Sequence, residues 1–397
     1  MDIYEQPYYK ITKNFASLIG QWPYQSRLKS LILGSVLWNL FFFQIIPQVI
    51  ALVVNFDDQD LLFELLSAFI MDLAYVAKYI NTIQKAKMIQ KLFERVKDDW
   101  KMLKNNEEKI ILEYHLKIGR YLSIGYTGFA NFALIMFILD PILPIIINIV
   151  SKANDSVPQR FSVPMEFIIF DKEKHYWLLL SVSNICIVSI ILVIVCCDIV
   201  FITFVQHVCG IFAVVGFRIE HCPSETISHN MPSGTSFWIN AQDIHYKHFV
   251  SCIRAHRRAL KFAELIETTF CGCFGIVVGL NLPAMSITGF QIITHSNSIQ
   301  DTLKYIMFTG AQILHLFFDC YMSQRLTDMS THIQHCIARA KWYENSAKSR
   351  KLLILMTLRS QIPCKLTAAK IVELSIESFG MMVKTAGSYF TILLSMR

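Results

Sequence analysis

Charged residues are scarce in this chain of 397 amino acids. Asp, Glu, Lys and Arg together make up 17% of it, whereas about 25% is usual for soluble domains. Hydrophobic residues make up 54%, phenylalanine alone occurs 29 times, and the mean hydropathy is +0.42. This composition excludes a soluble enzyme and predicts a polytopic membrane protein.

Several chemical signatures are also missing. The sequence has no Gly-rich phosphate loop, no Gly-x-Ser-x-Gly motif and no His/Cys set with the fixed spacing of a metal site. The first 185 residues contain no cysteine, and all 11 cysteines, from Cys186 onward, lie in predicted spans or cytoplasmic segments. We therefore expect no catalytic residue, no metal, no cofactor and no extracellular disulfide. The polar residues 1–30 lack the pattern of a cleaved signal peptide.

Seven stretches of the chain are apolar enough to cross a bilayer. Each carries about 20 apolar residues, the length that a helix needs to span about 30 Å of hydrocarbon. The predicted spans are 31–54, 62–82, 120–150, 176–215, 263–293, 303–323 and 370–394. The sequence thus predicts an all-α protein with seven transmembrane helices.

The fourth stretch is too long for a membrane span alone. It runs for 40 residues, from Tyr176 to Val215, with Asp198 as its single charge. At about 1.5 Å per residue it would reach about 60 Å, twice the hydrocarbon thickness. We therefore expect its far end to be buried in protein outside the bilayer, with the basic amphipathic segment from Arg339 to Arg359 packed against it as a cytoplasmic helix.

The basic residues predict the orientation. Of the 37 lysines and arginines, 29 lie in segments on the side of the N-terminus and 5 on the opposite side. The positive-inside rule then places the N-terminus in the cytoplasm and the C-terminus outside, which argues against a G-protein-coupled receptor. The charge of +7 is thus a topology signal and predicts no nucleic-acid partner. The sequon at Asn154 falls in a loop predicted to be outside, so Asn154 is a candidate glycosylation site.

The end of the chain carries a polar stripe. Residues 365–379 are predicted to form a polar helix start, and a helix of bilayer length follows. Lys384, Ser388, Ile392 and Ser395 are spaced four, four and three apart, which places them on one face of that helix. Such a stripe lines a gated water path or packs against neighbouring helices, and the residues alone leave both interpretations open. Three roles are open for the charged side chain of Lys384. It lines a pore, it extends toward the cytoplasmic side, or it pairs with Glu377.

The outer halves of spans two, three, four and six are rich in aromatic, methionine and small polar side chains. Residues of this kind suit a concave apolar site for a small volatile ligand, although ordinary helix packing uses them as well. The candidate ligand-binding residues are Met71, Tyr75, Phe132, Met136, Ser181, Ile185, Tyr305, Phe308 and Gln312.

Short motifs over most of the chain resemble those of insect odorant receptors, most closely those of ants, bees and wasps. Their order and spacing together carry the resemblance. The motifs are Asp98-Asp99-Trp100, Leu143-Pro-Ile-Ile-Ile-Asn148, Phe161-Ser-Val-Pro-Met-Glu166, Gln206-His-Val-Cys-Gly210, Arg218-Ile-Glu220, His256-Arg257-Arg258-Ala259, residues 320–330, Trp342-Tyr343, Lys365-Leu-Thr-Ala-Ala-Lys370 and Ser388-Tyr-Phe390. The family usually has Gly where Ser323 and Ala369 stand and often Tyr where Ala338 stands, which puts only local geometry in doubt.

The resemblance implies a subunit of a ligand-gated, non-selective cation channel. In that family four subunits surround one pore, and the tuned receptor assembles with a shared odorant co-receptor subunit in the plasma membrane of the olfactory neuron's dendrite. Small volatile ligands, membrane lipid and permeating cations are the other implied partners. The closing motif implies that Ile392 is the apolar gate and Ser395 the residue at the outer mouth, which favours the pore interpretation of the stripe.

The implied organisation has four parts. Residues 1–30 form a cytoplasmic N-terminal segment, 31–325 hold transmembrane helices one to six with the ligand pocket, 326–369 form the cytoplasmic anchor segment, and 370–397 form the pore-lining seventh helix. The sequence leaves two alternative functions open. A gustatory-type channel of the same architecture would bind a non-volatile tastant, and a secondary transporter would show saturable flux without single-channel steps.

Overall fold

In the computed structural model, the described residues are 3–151, 159–168, 171–222, 235–294 and 299–396. They form an α-helical bundle with one two-stranded β-hairpin. The elements are α1 (Pro7–Leu18), α2 (Arg27–Val54), α3 (Gln59–Gln84), α4 (Ala86–Lys101), α5 (Asn106–Leu139), α6 (Leu143–Ser151), α7 (Tyr176–Glu220), α8 (Thr235–Thr294), α9 (Ile299–Arg339), α10 (Ala347–Ser360), β1 (Thr367–Ala368), β2 (Val372–Glu373) and α11 (Ile376–Ser395). Single turns of 3-10 helix cover Ile3–Glu5 and Trp342–Glu344.

Each of the seven predicted spans falls largely on helix. Among the described residues, α2, α5, α7 and the 245–294 part of α8 are long and apolar enough to cross a membrane by length and composition. The helices α3, α9 and α11 carry more charge or are shorter, yet they pack into the same bundle. The third span differs from its prediction because α5 ends at Leu139 and α6 starts at Leu143. Pro141 explains the break, since proline offers no backbone N–H to continue the helix.

Helix α7 is the central column of the fold. Its 45 residues correspond to about 68 Å, which confirms that this helix is too long for the bilayer alone. From Val193 to Val215 nearly every side chain is buried, and α7 contacts α1, α2, α3, α5, α8 and α9. Its second half, together with the parts of α5, α8 and α9 that extend past their predicted spans, forms a packed domain. The helix predicted over 339–359 begins only at Ala347, as α10, and it packs mainly on α8 and α9 where a contact with α7 was expected.

Motif residues that are distant in sequence meet in this domain. The Arg258 guanidinium donates to Asp99 Oδ1 (2.8 Å), and the Nε2 atom of His207 lies 3.3 Å from Asp99 Oδ2. The Tyr9 hydroxyl accepts from Trp100 Nε1 (2.9 Å) and lies 3.0 Å from Nδ1 of His207. Burial raises the pKa of Tyr9, so this hydroxyl keeps its proton, and the cluster joins α1, α4, α7 and α8 through their side chains.

A second ion pair fastens α5 to α7 in the same domain. The Arg218 guanidinium donates to both carboxylate oxygens of Glu108, at 2.8 and 2.7 Å. Burial by itself raises the pKa of Glu108, but the hydrogen bonds from Arg218 and from the Lys104 backbone N–H outweigh it and leave the pKa lowered. A bidentate, charge-assisted pair of this kind is among the stronger polar contacts in proteins.

The prediction of a helix start at residues 365–374 is wrong. These residues form the β1–β2 hairpin, with Thr367 paired to Glu373 and Ala368 to Val372, and α11 begins only at Ile376. The hairpin is held by side chains, since Glu267 accepts hydrogen bonds from the backbone N–H (2.9 Å) and hydroxyl (2.5 Å) of Thr367. Two-residue strands have no periodicity by which a sequence pattern reveals them.

The hairpin turn fits tightly against α8. Ala369 and Lys370 have φ angles of +54° and +60°, a conformation that glycine adopts without strain and that other residues adopt at a cost. A Cβ atom at Gly275 would lie 2.4 Å from the Cβ of Ala369. Gly275 is therefore required where the turn rests on the helix.

We predict that Gly275→Ala lowers the thermal stability of the purified protein, because the added methyl group displaces the turn. Ala369→Gly in that background should recover part of the loss, and Ala369→Gly alone should stabilise the fold by about 1 kcal/mol. Gly272→Ala is the matched control, since a Cβ at Gly272 meets nothing within 4 Å. Thermal melts in detergent would contradict this account if Gly272→Ala and Gly275→Ala destabilised equally.

Candidate functional site

An apolar cavity lies between the helices in the half of the bundle away from the packed domain. It encloses about 110 Å³, somewhat less than the roughly 150 Å³ cavity that accepts benzene in an engineered protein. Helices α2, α3, α5, α7 and α9 form its wall together with the segment before α7. The lining residues are Gln44, Ala68, Met71, Asp72, Ala133, Leu134, Phe137, Val163, Ile187, Ile190, Ile191, Ile194, Met307, Phe308 and Ala311.

Two lining residues are polar, and both are buried. The Oε1 atom of Gln44 has no hydrogen-bond partner among the described residues, and the buried carboxyl of Asp72 lies beside the side-chain amide of Gln48. Buried polar atoms are rarely left unpaired, because the loss of hydration costs about 1–3 kcal/mol. This wall therefore offers hydrogen bonds to a ligand or to water inside an otherwise hydrocarbon-like space.

The sequence-predicted ligand residues fall into two groups. Met71 and Phe308 line the apolar cavity, Gln312 lines a smaller neighbouring cavity, and Tyr305 lines a constriction above it. Tyr75 is buried and stacks between Phe41 and Tyr79.

The other four line neither the apolar cavity nor the smaller spaces beside it. Phe132, Ser181 and Ile185 have exposed side chains, and Met136 is partly exposed. The prediction missed Phe137, the residue after Met136, and the α7 stripe that begins at Ile187. That stripe of Ile187, Ile190, Ile191 and Ile194 follows the i, i+3, i+4, i+7 spacing of one helix face, so a signal for it was present in the sequence.

An ionic network lies beneath the cavity. A space of about 30 Å³, which shares Met71 and Ile194 with the apolar cavity, is lined by Lys78 and His315. The ammonium of Lys78 is bonded to Oδ1 of Asp198 and lies 2.6 Å from Nε2 of His315. Oδ2 of Asp198 accepts a hydrogen bond from the Tyr126 hydroxyl at 2.6 Å. The network joins α3, α5, α7 and α9, all of which line the cavity.

The same network bears on metal binding. Asp198, His315 and Asp319 place ligand-type atoms within 4.8 Å of one another. Lys78 already bonds to two of these three residues, so a lysine supplies the positive charge that a metal ion would bring. The site is an internal ion-pair network, and the sequence expectation of no metal stays a prediction.

A chain of hydrogen bonds runs from the cavity region toward α11. Thr288 on α8 donates to Oε1 of Gln312 (3.4 Å), and Asn281 on α8 donates to the backbone oxygen of Gln312 (3.2 Å). The Ser286 hydroxyl, on the same helix, donates to the backbone oxygen of Ala386 on α11 (3.0 Å). Helix α8 thus contacts both the cavity-lining helix α9 and the last helix.

Helix α11 has one buried face and one exposed face. Met382 and Ala386 face the bundle, whereas Lys384, Ser388 and Ile392 are exposed, together with Ser395. In the described part of the chain Lys384 forms no ion pair, so the proposed pairing with Glu377 is not present. The exposed stripe does not pack within its own subunit. The candidate glycosylation site, Asn154, lies outside the described residues.

The long apolar helices and the bundle that they form are those of a multi-pass membrane protein. Residues 60–387 match the family described as "7tm Odorant receptor". The chain belongs to this insect odorant receptor family. The resemblance, the all-α fold with seven transmembrane helices and the expectation of a receptor rather than an enzyme are thereby confirmed.

Individual relatives and structures agree with the family. Odorant receptor 13a of Drosophila melanogaster is 23% identical over 66% of this chain and 63% of its own length, and Odorant receptor 67a of the same fly is 26% identical over 41% and 38%. The chain thus spans less than two thirds of these relatives. The olfactory receptor OR5 of Machilis hrabei in complex with eugenol superposes with a TM-score of 0.80 at 14% identity, covering 98% of this chain and 97% of that one.

We predict that Ala311→Leu, which fills much of the apolar cavity, raises the agonist concentration for half-maximal response by about tenfold or more, a loss of about 1.4 kcal/mol of binding. Phe308→Ala should change the order of potency among agonists because it enlarges the same wall. The measurement is a dose–response series of agonist-evoked current.

Phe132→Ala serves as the control for this series, since Phe132 is 54% exposed and its side chain lies outside the lining. Its dose–response curve should match the wild-type curve. A shift in Phe132→Ala as large as that in Ala311→Leu, at equal surface level, would place the ligand site elsewhere.

Proposed function

We propose that this chain is the odorant-binding subunit of a ligand-gated, non-selective cation channel. A small volatile ligand binds the apolar cavity, and the pore opens along α11. The observation that carries the proposal is the exposed stripe of Lys384, Ser388, Ile392 and Ser395 on a bilayer-length helix. A lysine is too costly to leave facing hydrocarbon, so this face needs water or other subunits beside it.

The exposed surface of the packed domain supports assembly with other subunits. Helix α10 buries Leu353 and Met356, yet Ile354, Leu355 and Leu358 are each more than half exposed. Apolar side chains on opposite sides of a short helix indicate that a second surface covers it. We propose a heterotetramer with an odorant co-receptor subunit, in which α10 and the domain around it form the anchor.

The chemistry of the cavity suggests the ligand class. Its wall is almost entirely hydrocarbon, with the amide of Gln44 and the carboxyl of Asp72 as polar groups. A compact, mostly apolar molecule with one hydrogen-bonding group fits both features. Membrane lipid surrounds the bundle, cations permeate the pore, and the receptor acts in the plasma membrane of the olfactory neuron's dendrite.

The proposal is tested by recording current in cells that express this chain with the co-receptor and are exposed to a panel of volatiles. Ile392 is proposed to close the pore as a hydrophobic ring that holds water poorly. Ile392→Ser should therefore raise the current without ligand, and substitutions of Ser395 should move the reversal potential more than the agonist sensitivity. Unchanged basal current in Ile392→Ser at normal surface level would contradict the gate and support the alternative that this face of α11 packs against neighbouring helices.

The proposed orientation has its own test. The excess of basic residues supports a cytoplasmic packed domain and an extracellular C-terminus. An epitope added after Arg397 should be labelled on intact cells, whereas an epitope before Met1 should be labelled only after permeabilisation. The reverse pattern would rule out the cytoplasmic anchor and with it the proposed channel.

A further inference from the structure

A narrow constriction separates the apolar cavity from a second, polar space. The constriction shares four lining residues with the apolar cavity: Ala68, Phe137, Val163 and Phe308. It shares four others with a polar space of about 380 Å³, here called the vestibule: Glu64, Pro164, Lys304 and Tyr305. The constriction itself holds about 10 Å³, room for about one water molecule at most. The three spaces therefore lie in a row that is closed at its middle.

Lys304 lies at this closure. Its ammonium is 2.9 Å from Oε1 of Glu64 on α3 and 3.3 Å from Oδ2 of Asp140 at the end of α5. It also lies 5.5 Å from the centre of the Phe137 ring and 5.9 Å from that of Tyr305, within range of a cation–π interaction. One side chain of α9 thus ties α3, α5 and the aromatic lining together across the constriction.

This closure can open without moving a helix. The side chains of Glu64, Asp140 and Lys304 are 23%, 11% and 10% exposed, so the ion pairs are sheltered and separating them costs more than separating a surface pair. The vestibule beside them is polar, and lysine carries its charge on a flexible four-carbon stem. A rotation of the Lys304 side chain into the vestibule would hydrate its charge while it clears the constriction.

We propose that Lys304 is the gate of the ligand-access path. The ligand reaches the apolar cavity from the vestibule, and Lys304 must leave Glu64 and Asp140 for it to pass. The inference rests on the proposed function, which places the vestibule outside the cell and the ligand in the apolar cavity. The path admits compact neutral molecules and excludes ions, because a charge that enters the apolar cavity finds no compensating partner there.

The test measures access to the cavity chemically. A cysteine is introduced by Ala311→Cys, and the purified protein is exposed to methyl methanethiosulfonate, a small neutral reagent that transfers a methylthio group to a thiolate and releases methanesulfinate. The unaltered chain, with its own 11 cysteines, gives the background. The Ala311→Cys protein is the parent in which the further substitutions are made and with which their labelling rates are compared. We expect Lys304→Met to speed the labelling at position 311 by about tenfold, which corresponds to ~1.4 kcal/mol of gate closure.

Two matched variants separate gating from general loosening. Lys304→Arg keeps the charge and should label at the parent rate. Lys172→Met removes the ion pair with Glu166, which lines the vestibule away from the constriction, and should also label at the parent rate. Equal rates in Lys304→Met and the parent, in monodisperse protein, would overturn the proposal and point to access through the lipid.

A milder variant covers the case in which Lys304→Met does not fold. Glu64→Gln leaves Lys304 paired with Asp140 and should give a smaller but measurable acceleration, and an unchanged rate would contradict the gate. The labelling requires no channel current. Accelerated labelling without odorant-evoked current would refute the proposed function alone, and evoked current without accelerated labelling would refute the gate alone.

Discussion

The ion pair between Lys78 and Asp198 is the constraint on which the geometry of the cavity-containing half of the bundle depends. Both side chains are less than a tenth exposed, so neither charge can be left without its partner. Breaking such a buried pair costs about 3–5 kcal/mol, because the remaining charge loses its compensation. Tyr126 and His315 bond to the same two groups. The helices that line the apolar cavity are therefore held in one register at its floor, and the shape of the cavity follows from that register.

This arrangement also limits how the helices can move. A small sliding of α9 against α3 would separate His315 from Lys78, and the buried groups would then have to find another set of partners. Packed interfaces with few alternative pairings tend to switch between discrete arrangements and do not deform continuously. The Lys304 contacts with Glu64 and Asp140 fasten the same helices at the other end of the cavity. The cavity is thus bounded above and below by ionic contacts and laterally by hydrocarbon.

Sequence reasoning reached the helices more reliably than the site. Spans are readable because length and apolarity are local properties, and the excess length of α7 was visible as 40 residues with one charge. Which face of a helix borders a cavity depends on how its neighbours rotate it, and no local pattern encodes that rotation. Hence Ser181 and Ile185 were predicted where Ile187 and Ile191 line the wall. Lys78 and Asp198 are 120 residues apart, so their pairing too is visible only in the fold.

Helix α9, which lines the cavity, contacts α11 directly and also reaches it through α8. A ligand shifts a conformational equilibrium only as far as it binds one state better than the other, so the proposed opening requires a cavity that changes shape with the pore. Helix α8 links the two regions. It donates hydrogen bonds to Gln312 on α9 from Asn281 and Thr288, and it donates one to α11 from Ser286. A displacement of α9 by the ligand would reach α11 through these contacts, and Ala386 lies on the face opposite the exposed stripe. The pore face would then move as part of a rigid helix, without any rearrangement of its own side chains.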